Sequence, residues 1–227
     1  MTAPAPLVVA ATKIELSAAT SRLPGAFRSE TLGIGPERAH RRMAALLEAR
    51  PAPLVLEVGL AGGLERTLAH GDVVVCLGVT RAGSNGRWSL DAGLAGGALA
   101  ALAGAGIFAR AIDIVESPRL VARAEDKRAL YASSRAVAVS METAAIALAA
   151  EGVPHLALRV VFDTVDEDVA LTDELIDGEG RVRPGALVRT LVARPKTTVA
   201  LVRSGLRART ALDRLARAVA AVWPTIS

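Results

Sequence analysis

Ala138-Val139-Ser140-Met141-Glu142-Thr143-Ala144-Ala145-Ile146-Ala147 and, a few residues on, Leu156-Ala157-Leu158-Arg159-Val160-Val161-Phe162-Asp163 decide how this chain folds. The first segment reads as a strand, an acid at a helix start, and a helix. The second reads as a buried strand ending in Asp163. Apolar runs alternating with helical segments indicate α/β architecture. The layout predicts that Glu142 and Asp163 stand at the carboxyl ends of neighbouring strands, where ligands bind in open α/β sheets.

The rest of the chain extends the pattern in both directions. Strands are predicted over 7–11, 54–58, 72–79, 111–115, 136–139 and 155–161. Helices are predicted over 36–49, with Met43, Leu46 and Leu47 inward, and over 125–132, 142–150, 184–193 and 199–222. The strand over 54–58 is expected to end in the glycine-rich turn Gly59-Leu60-Ala61-Gly62-Gly63. The uncharged stretch 92–109 reaches the length of a membrane span. Its Ala and Gly make it too weakly hydrophobic for one, so it reads as a helix, a turn at Gly104-Ala105-Gly106 and a strand from Ile107. The polar, acidic stretch 164–183 is expected to be a mobile loop beside the site.

With 227 residues, 52% of them apolar, the chain suffices for one domain over 1–227 with a sizeable core. Its charge is uneven. Residues 181–227 hold ten basic groups against the single acid Asp213, whereas the first 180 residues carry a net of −5. This basic, Leu- and Val-rich helical segment reads as a closing helix with its apolar side inward; the alternative is peripheral contact with an acidic membrane surface. The single cysteine, Cys76, lies in the run Val73-Val74-Val75-Cys76-Leu77 and reads as a buried strand thiol, with no internal disulfide to form. The N-terminus lacks the basic start of a signal peptide, which predicts a cytoplasmic protein, with the inner membrane surface as the other site of action. His40, His70 and His155 lack metal-ligand spacing, and no Walker loop or Gly-x-Ser-x-Gly elbow occurs, so neither a metal nor another cofactor is expected.

Three acids at strand ends, Glu15, Glu142 and Asp163, suit the cleavage of an N-glycosidic bond. Such a reaction needs an acid for the leaving base, a carboxylate near the sugar, and a group that positions the nucleophile. The motifs around these acids resemble those of the nucleoside phosphorylase and nucleosidase superfamily. The resemblance covers nearly the whole chain and is strongest over 136–163. It implies a three-layer α/β/α fold with a central mixed, partly barrel-like β-sheet, and a homo-oligomer.

The same resemblance implies roles for single residues. Met141 would pack under the ribose and Glu142 would accept hydrogen bonds from its 2′ and 3′ hydroxyls. Asp163 would face purine N7, with a pKa raised by partial burial. Phe162 stands where the family usually has Ser, which removes one polar support for Asp163. Lys13-Ile14-Glu15-Leu16 resembles the loop whose Glu activates water; the plain alternative for Glu15 is a solvated loop acid. Gly59, Leu60, Ala61 and Gly62 match the family's substrate-side glycine turn, with Leu60 in place of its usual Ser. Glu57 stands where purine phosphorylases carry an Arg for phosphate, so inorganic phosphate stays open as a co-substrate. Asp166, Glu167 and Asp168 read as a solvated loop.

The run Gly180-Arg181-Val182-Arg183, followed by Leu- and Arg-rich segments, resembles the hopanoid-associated phosphorylase branch. That branch implies adenine release from adenosylhopane. The alternatives are a soluble nucleosidase acting on methylthioadenosine, S-adenosylhomocysteine or futalosine, and, in another class, a noncatalytic nucleoside-binding protein. A small-molecule or lipid-linked nucleoside is the expected partner, and no nucleic acid.

Overall fold

A computed structural model describes residues 5–169 and 197–227, with side chains from 205 onward in the second stretch. In chain order the elements are β1 (Leu7–Ala10), α1 (Lys13–Thr20), β2 (Arg28–Thr31), α2 (Pro36–Ala49), β3 (Val55–Gly63), β4 (Val73–Arg81) and β5 (Arg87–Ser89). They continue with α3 (Ala92–Gly104), β6 (Ala109–Glu116), α4 (Ala124–Ser134), β7 (Ala138–Ser140), α5 (Thr143–Ala149), β8 (His155–Asp163) and α6 (Thr197–Val222), closed by the 3-10 turn Trp223–Thr225.

The described strands form one mixed sheet that closes on itself. β3 pairs with β8 in parallel, β8 with β4 antiparallel, β4 with β6 in parallel, β6 with β7 in parallel, and β7 with β3 antiparallel. β1 and β2 extend the sheet from β3, and β5 hairpins onto β4. This is the partly barrel-like mixed sheet that the resemblance implied. β7 and β8 are not neighbours, contrary to the sequence reading. β3 runs between them, with Gly62 paired to Val139 on one edge and to Asp163 on the other.

Strand alternation divides the core. Leu54, Leu56, Val58, Leu156, Leu158 and Val160 turn to one face, packed against α1, α3 and α6. Leu7, Val9 and Val55 turn to the other, against Met43 of α2 and Ile146 of α5. α6 brings Leu215, Val219 and Val222 into the first cluster, all fully buried. Each such side chain contributes about 1.5–3 kcal/mol relative to exposure, so this face of the C-terminal helix is committed to the sheet. Among the described residues no helix is long and apolar enough to cross a membrane.

Three local expectations need correction. β3 does not stop before the glycines; it runs through Gly63, with Gly59 closely approached by Arg159 and with Val139 and the Asp163 carbonyl close against Gly62 and Gly63. Lys13–Thr20 is a helix rather than a loop, started by a capping box in which Thr12 and Glu15 bond each other's backbone amides. The polar strand β2 and the short hairpin strand β5 were not expected from sequence. The helix predicted over 184–193 and most of the loop over 164–183 lie outside the described residues.

Candidate active site

The site forms where β3 loses its neighbour. β1 pairs with β3 only at Val55–Glu57, and β7 takes the same edge only at Gly62 and Gly63. Between them the edge is unpaired, and the Leu60 amide is satisfied by a side chain: it donates to Glu15 Oε1 at 2.9 Å. Glu15 Oε2 accepts from the Thr12 amide at 3.0 Å and the Thr12 hydroxyl at 2.7 Å. Glu15 is therefore a fixed group at the first turn of α1, and a solvated loop acid is ruled out. The contact at position 60 is made by main chain, so the absence of the family's Ser side chain leaves it intact.

Gly59 is required for this arrangement. A Cβ there would overlap the Arg159 guanidinium and come within 3.0 Å of Glu15 Oε1. Gly59→Ala is expected to displace one of the two and to cost about 1–3 kcal/mol by overpacking. Turnover should fall at least tenfold while the far-ultraviolet circular dichroism stays native; unchanged turnover would show that the contact is dispensable.

Glu142 occupies the N-cap of α5, its carbonyl accepting from the Ile146 amide. Its side chain crosses to the start of α2, where Oε1 accepts from the Gly35 amide at 3.0 Å. Gly35 has φ 96°, a conformation that favours glycine. Burial pushes the Glu142 carboxyl up to about 8, opposed by the Gly35 bond and reinforced by the nearby Glu15 and Glu116. Glu116, at the end of β6, steadies the same helix start: its Oε2 accepts from the Ala145 amide at 2.7 Å and its Oε1 meets Arg81 Nε at 2.7 Å.

Asp163 ends β8, beyond a bulge in the β3–β8 register that leaves Phe162 as the extra residue. Such irregularities re-aim side chains beside functional sites, and here both Phe162 and Asp163 line the cleft. Burial pushes Asp163 up to about 6, held in check by the Lys127 ammonium against its Oδ2.

Under the cleft floor lies a buried polar cluster. Arg159 donates to Glu57 Oε1 and to Thr143 Oγ1, Thr143 Oγ1 meets Ser140 Oγ at 2.8 Å, and His155 Nε2 meets Glu57 Oε2 at 3.0 Å. Burial lowers His155 to about 4, so it is neutral; opposite a Glu57 carboxylate, which only accepts, its Nε2 is the donor. Burial lowers Arg159 to about 10, partly offset by Glu15, so the guanidinium stays charged at neutral pH. Glu57 is thus turned into this cluster and does not line the cleft, where the sequence reading set it against phosphate.

The cleft, about 160 Å³, brings together Glu15, Leu60, Ala61, Gly62, Met141, Glu142, Phe162 and Asp163. Gly59 lies beneath it, against Arg159 and Glu15. The sequence reading omitted Ile34, Arg119, Leu120 and Val121, which also line the cleft. It also omitted Lys127, which reads as one more charge on a polar helix. Asp166 and Asp168 are exposed and Glu167 is half-buried, and all three are fastened: Asp166 pairs with Arg66 and Arg128, Glu167 with Arg207, and Asp168 accepts from the Ala124 amide at the start of α4. Among the described residues no cluster of His, Cys, Asp or Glu could hold a metal ion. Cys76 is buried, and burial pushes its thiol well up.

Fold and family together define a glycosyl-cleaving enzyme. The family model described as Phosphorylase superfamily matches residues 27–193, and the chain belongs to that superfamily. A search of the curated proteins finds no match. Among solved structures, the 5′-methylthioadenosine/S-adenosylhomocysteine nucleosidase of Neisseria meningitidis, in complex with methylthio-immucillin-A, is similar with a TM-score of 0.75 at 20% identity, over 98% of this chain and 99% of that one. The corresponding Helicobacter pylori nucleosidase with butyl-thio-DADMe-Immucillin-A gives 0.73 at 17% identity, over 100% and 98%. The futalosine hydrolase of Helicobacter pylori gives 0.66 at 18% identity, over 88% and 96%.

Proposed function

We propose that this enzyme cleaves the N-glycosidic bond of a purine nucleoside, and that its substrate is adenosylhopane. The observation that carries the general reaction is the convergence of Glu15, Glu142 and Asp163 on one cleft. Glu142, fixed by the Gly35 amide, holds the ribose hydroxyls, with Met141 beneath the sugar. Asp163, with its raised pKa, gives a proton to the purine as the C1′–N9 bond electrons move onto the base. Glu15, fixed by the Leu60 amide, takes a proton from the attacking water.

Water is the nucleophile in this reading, because it gives Glu15 a proton to accept beside the sugar. Arg119 also lines the cleft, so phosphate is the alternative nucleophile that the assay below decides. No cofactor enters this scheme.

The lipid-linked substrate is supported by the sequence run over 180–183 and by the outward side of α6, where Leu206 is 63% exposed and Arg209 and Arg214 are exposed. In the same proposal a homo-oligomer works at the inner membrane surface. A second reading, a nucleosidase for methylthioadenosine, S-adenosylhomocysteine or futalosine, is favoured by the names of the similar structures.

Adenine release from adenosylhopane and from methylthioadenosine, each with and without phosphate, separates these readings. Release from the lipid alone, unaffected by phosphate, is the expected result. Release from methylthioadenosine alone would replace the lipid with a soluble thionucleoside. Release from neither would overturn the lipid reading and move the assay to S-adenosylhomocysteine and futalosine, where no base release would overturn the purine assignment.

A further inference from the structure

Lys127 is the one fully buried lysine among the described residues. It projects from the first turn of α4, a helix otherwise rich in exposed charge. Its Nζ donates to the Thr164 carbonyl at 2.9 Å and the Glu167 carbonyl at 2.7 Å, and meets Asp163 Oδ2. An ammonium has three N–H bonds to place; two find carbonyl oxygens, and the charge is ion-paired with Asp163. A buried ammonium is costly unless it is paired and hydrogen-bonded, and this one is both. The backbone around it is fastened as well: Asp168 accepts from the Ala124 amide at 2.8 Å, and the Val169 amide donates to the Ala122 carbonyl at 2.8 Å.

We propose that Lys127 is a positioning residue for Asp163, anchoring one carboxyl oxygen so that the other faces the departing purine, and stabilising the carboxylate left after the proton is given up. The proposal rests on the reading of Asp163 as the purine-facing acid. Phe162 cannot hydrogen-bond that acid, so the support the family's Ser would give comes here from a charge on another element. The proton balance is simple. The Asp163 O–H bond breaks, the purine N–H bond forms, and the new carboxylate is left against the ammonium.

The charged groups facing Asp163 are Lys127 from α4, Glu167 from the turn after β8, and Arg207 from α6. Of these Lys127 opposes the effect of burial most strongly. Its loss therefore makes Asp163 a weaker acid, with a higher pKa.

The test compares Lys127→Met, Lys127→Gln and Lys127→Arg in the full chain. kcat and KM for whichever purine nucleoside turns over are followed from acid to alkaline pH, and the Asp163 carboxyl carbon is titrated by NMR. Met and Gln are expected to lower kcat by about 10- to 100-fold with little change in KM. Both should move the alkaline limb of kcat, and the Asp163 titration, upward by about one unit or more. Arg should keep the limb in place. In an Asp163→Asn background Lys127→Met should cost nothing further in kcat. If the Met variant does not fold, the Gln and Arg pair decides on the same criteria. A kcat loss with an unmoved limb and titration, or a full additional loss on top of Asp163→Asn, overturns the proposal. Near-normal kcat in Asp163→Asn alone would instead sink the underlying assignment of the acid.

Discussion

Asp163→Asn is expected to lower kcat by about 10²- to 10⁴-fold while the protein stays folded. The amide keeps the size of the carboxyl and can still donate a hydrogen bond to purine N7. It cannot give up a proton, so the leaving base must depart as an anion. The fold should survive because Lys127 keeps its bonds to the Thr164 and Glu167 carbonyls. Glu15→Gln should fall by a comparable factor, since the amide retains one oxygen for the Leu60 amide but cannot accept the proton of water. Single-turnover rates of adenine release, with circular dichroism as the folding control, check both. Near-normal rates in both variants would remove these residues from the chemistry.

Glu142→Gln is expected to do two opposite things: abolish productive ribose binding and stabilise the unliganded protein at neutral and alkaline pH. The sign follows from burial. The folded-state pKa of Glu142 is raised from 4.5 to about 8. The folded state therefore binds the proton more tightly than the unfolded chain, and stability falls as pH rises between those values. Asp163, raised from 3.8 to about 6, acts in the same direction over a lower window. A neutral amide at 142 escapes its share of the penalty, at most about 5 kcal/mol. The melting temperature of the variant should exceed that of the parent at pH 8–9, and the difference should close near pH 4.5. Equal melting temperatures throughout would show that the Glu142 carboxyl is better solvated than its surroundings suggest.

How much of this site was legible in the sequence depended on whether the determinant was local. Met141, Glu142 and Asp163 were readable because strand, acid and helix follow one another within a few residues. Helix α1 was missed for want of a strong apolar stripe over eight residues, although Thr12-x-x-Glu15 is a capping-box signal that would have found it. The strand through Gly59–Gly63 was taken for a turn because glycine usually marks one; here it marks close approach by Arg159, Val139 and Asp163. Lys127 could not be recognised from its neighbours Asp126 and Arg128, which are exposed. Its burial depends on the turn after β8, 37 residues away at Thr164. The separation of β7 from β8 by β3 is likewise a matter of sheet closure, which no short window encodes.

The fork in the sheet has a consequence for how this catalyst could diversify. At position 60 the polypeptide itself supplies the hydrogen-bond donor, and the side chain of Leu60, packed on one side against the core, is partly exposed on the cleft wall. That position is uncoupled from the geometry of Glu15. Its residue type can drift with the shape of the molecule being recognised, and the machinery beside it need not be rebuilt.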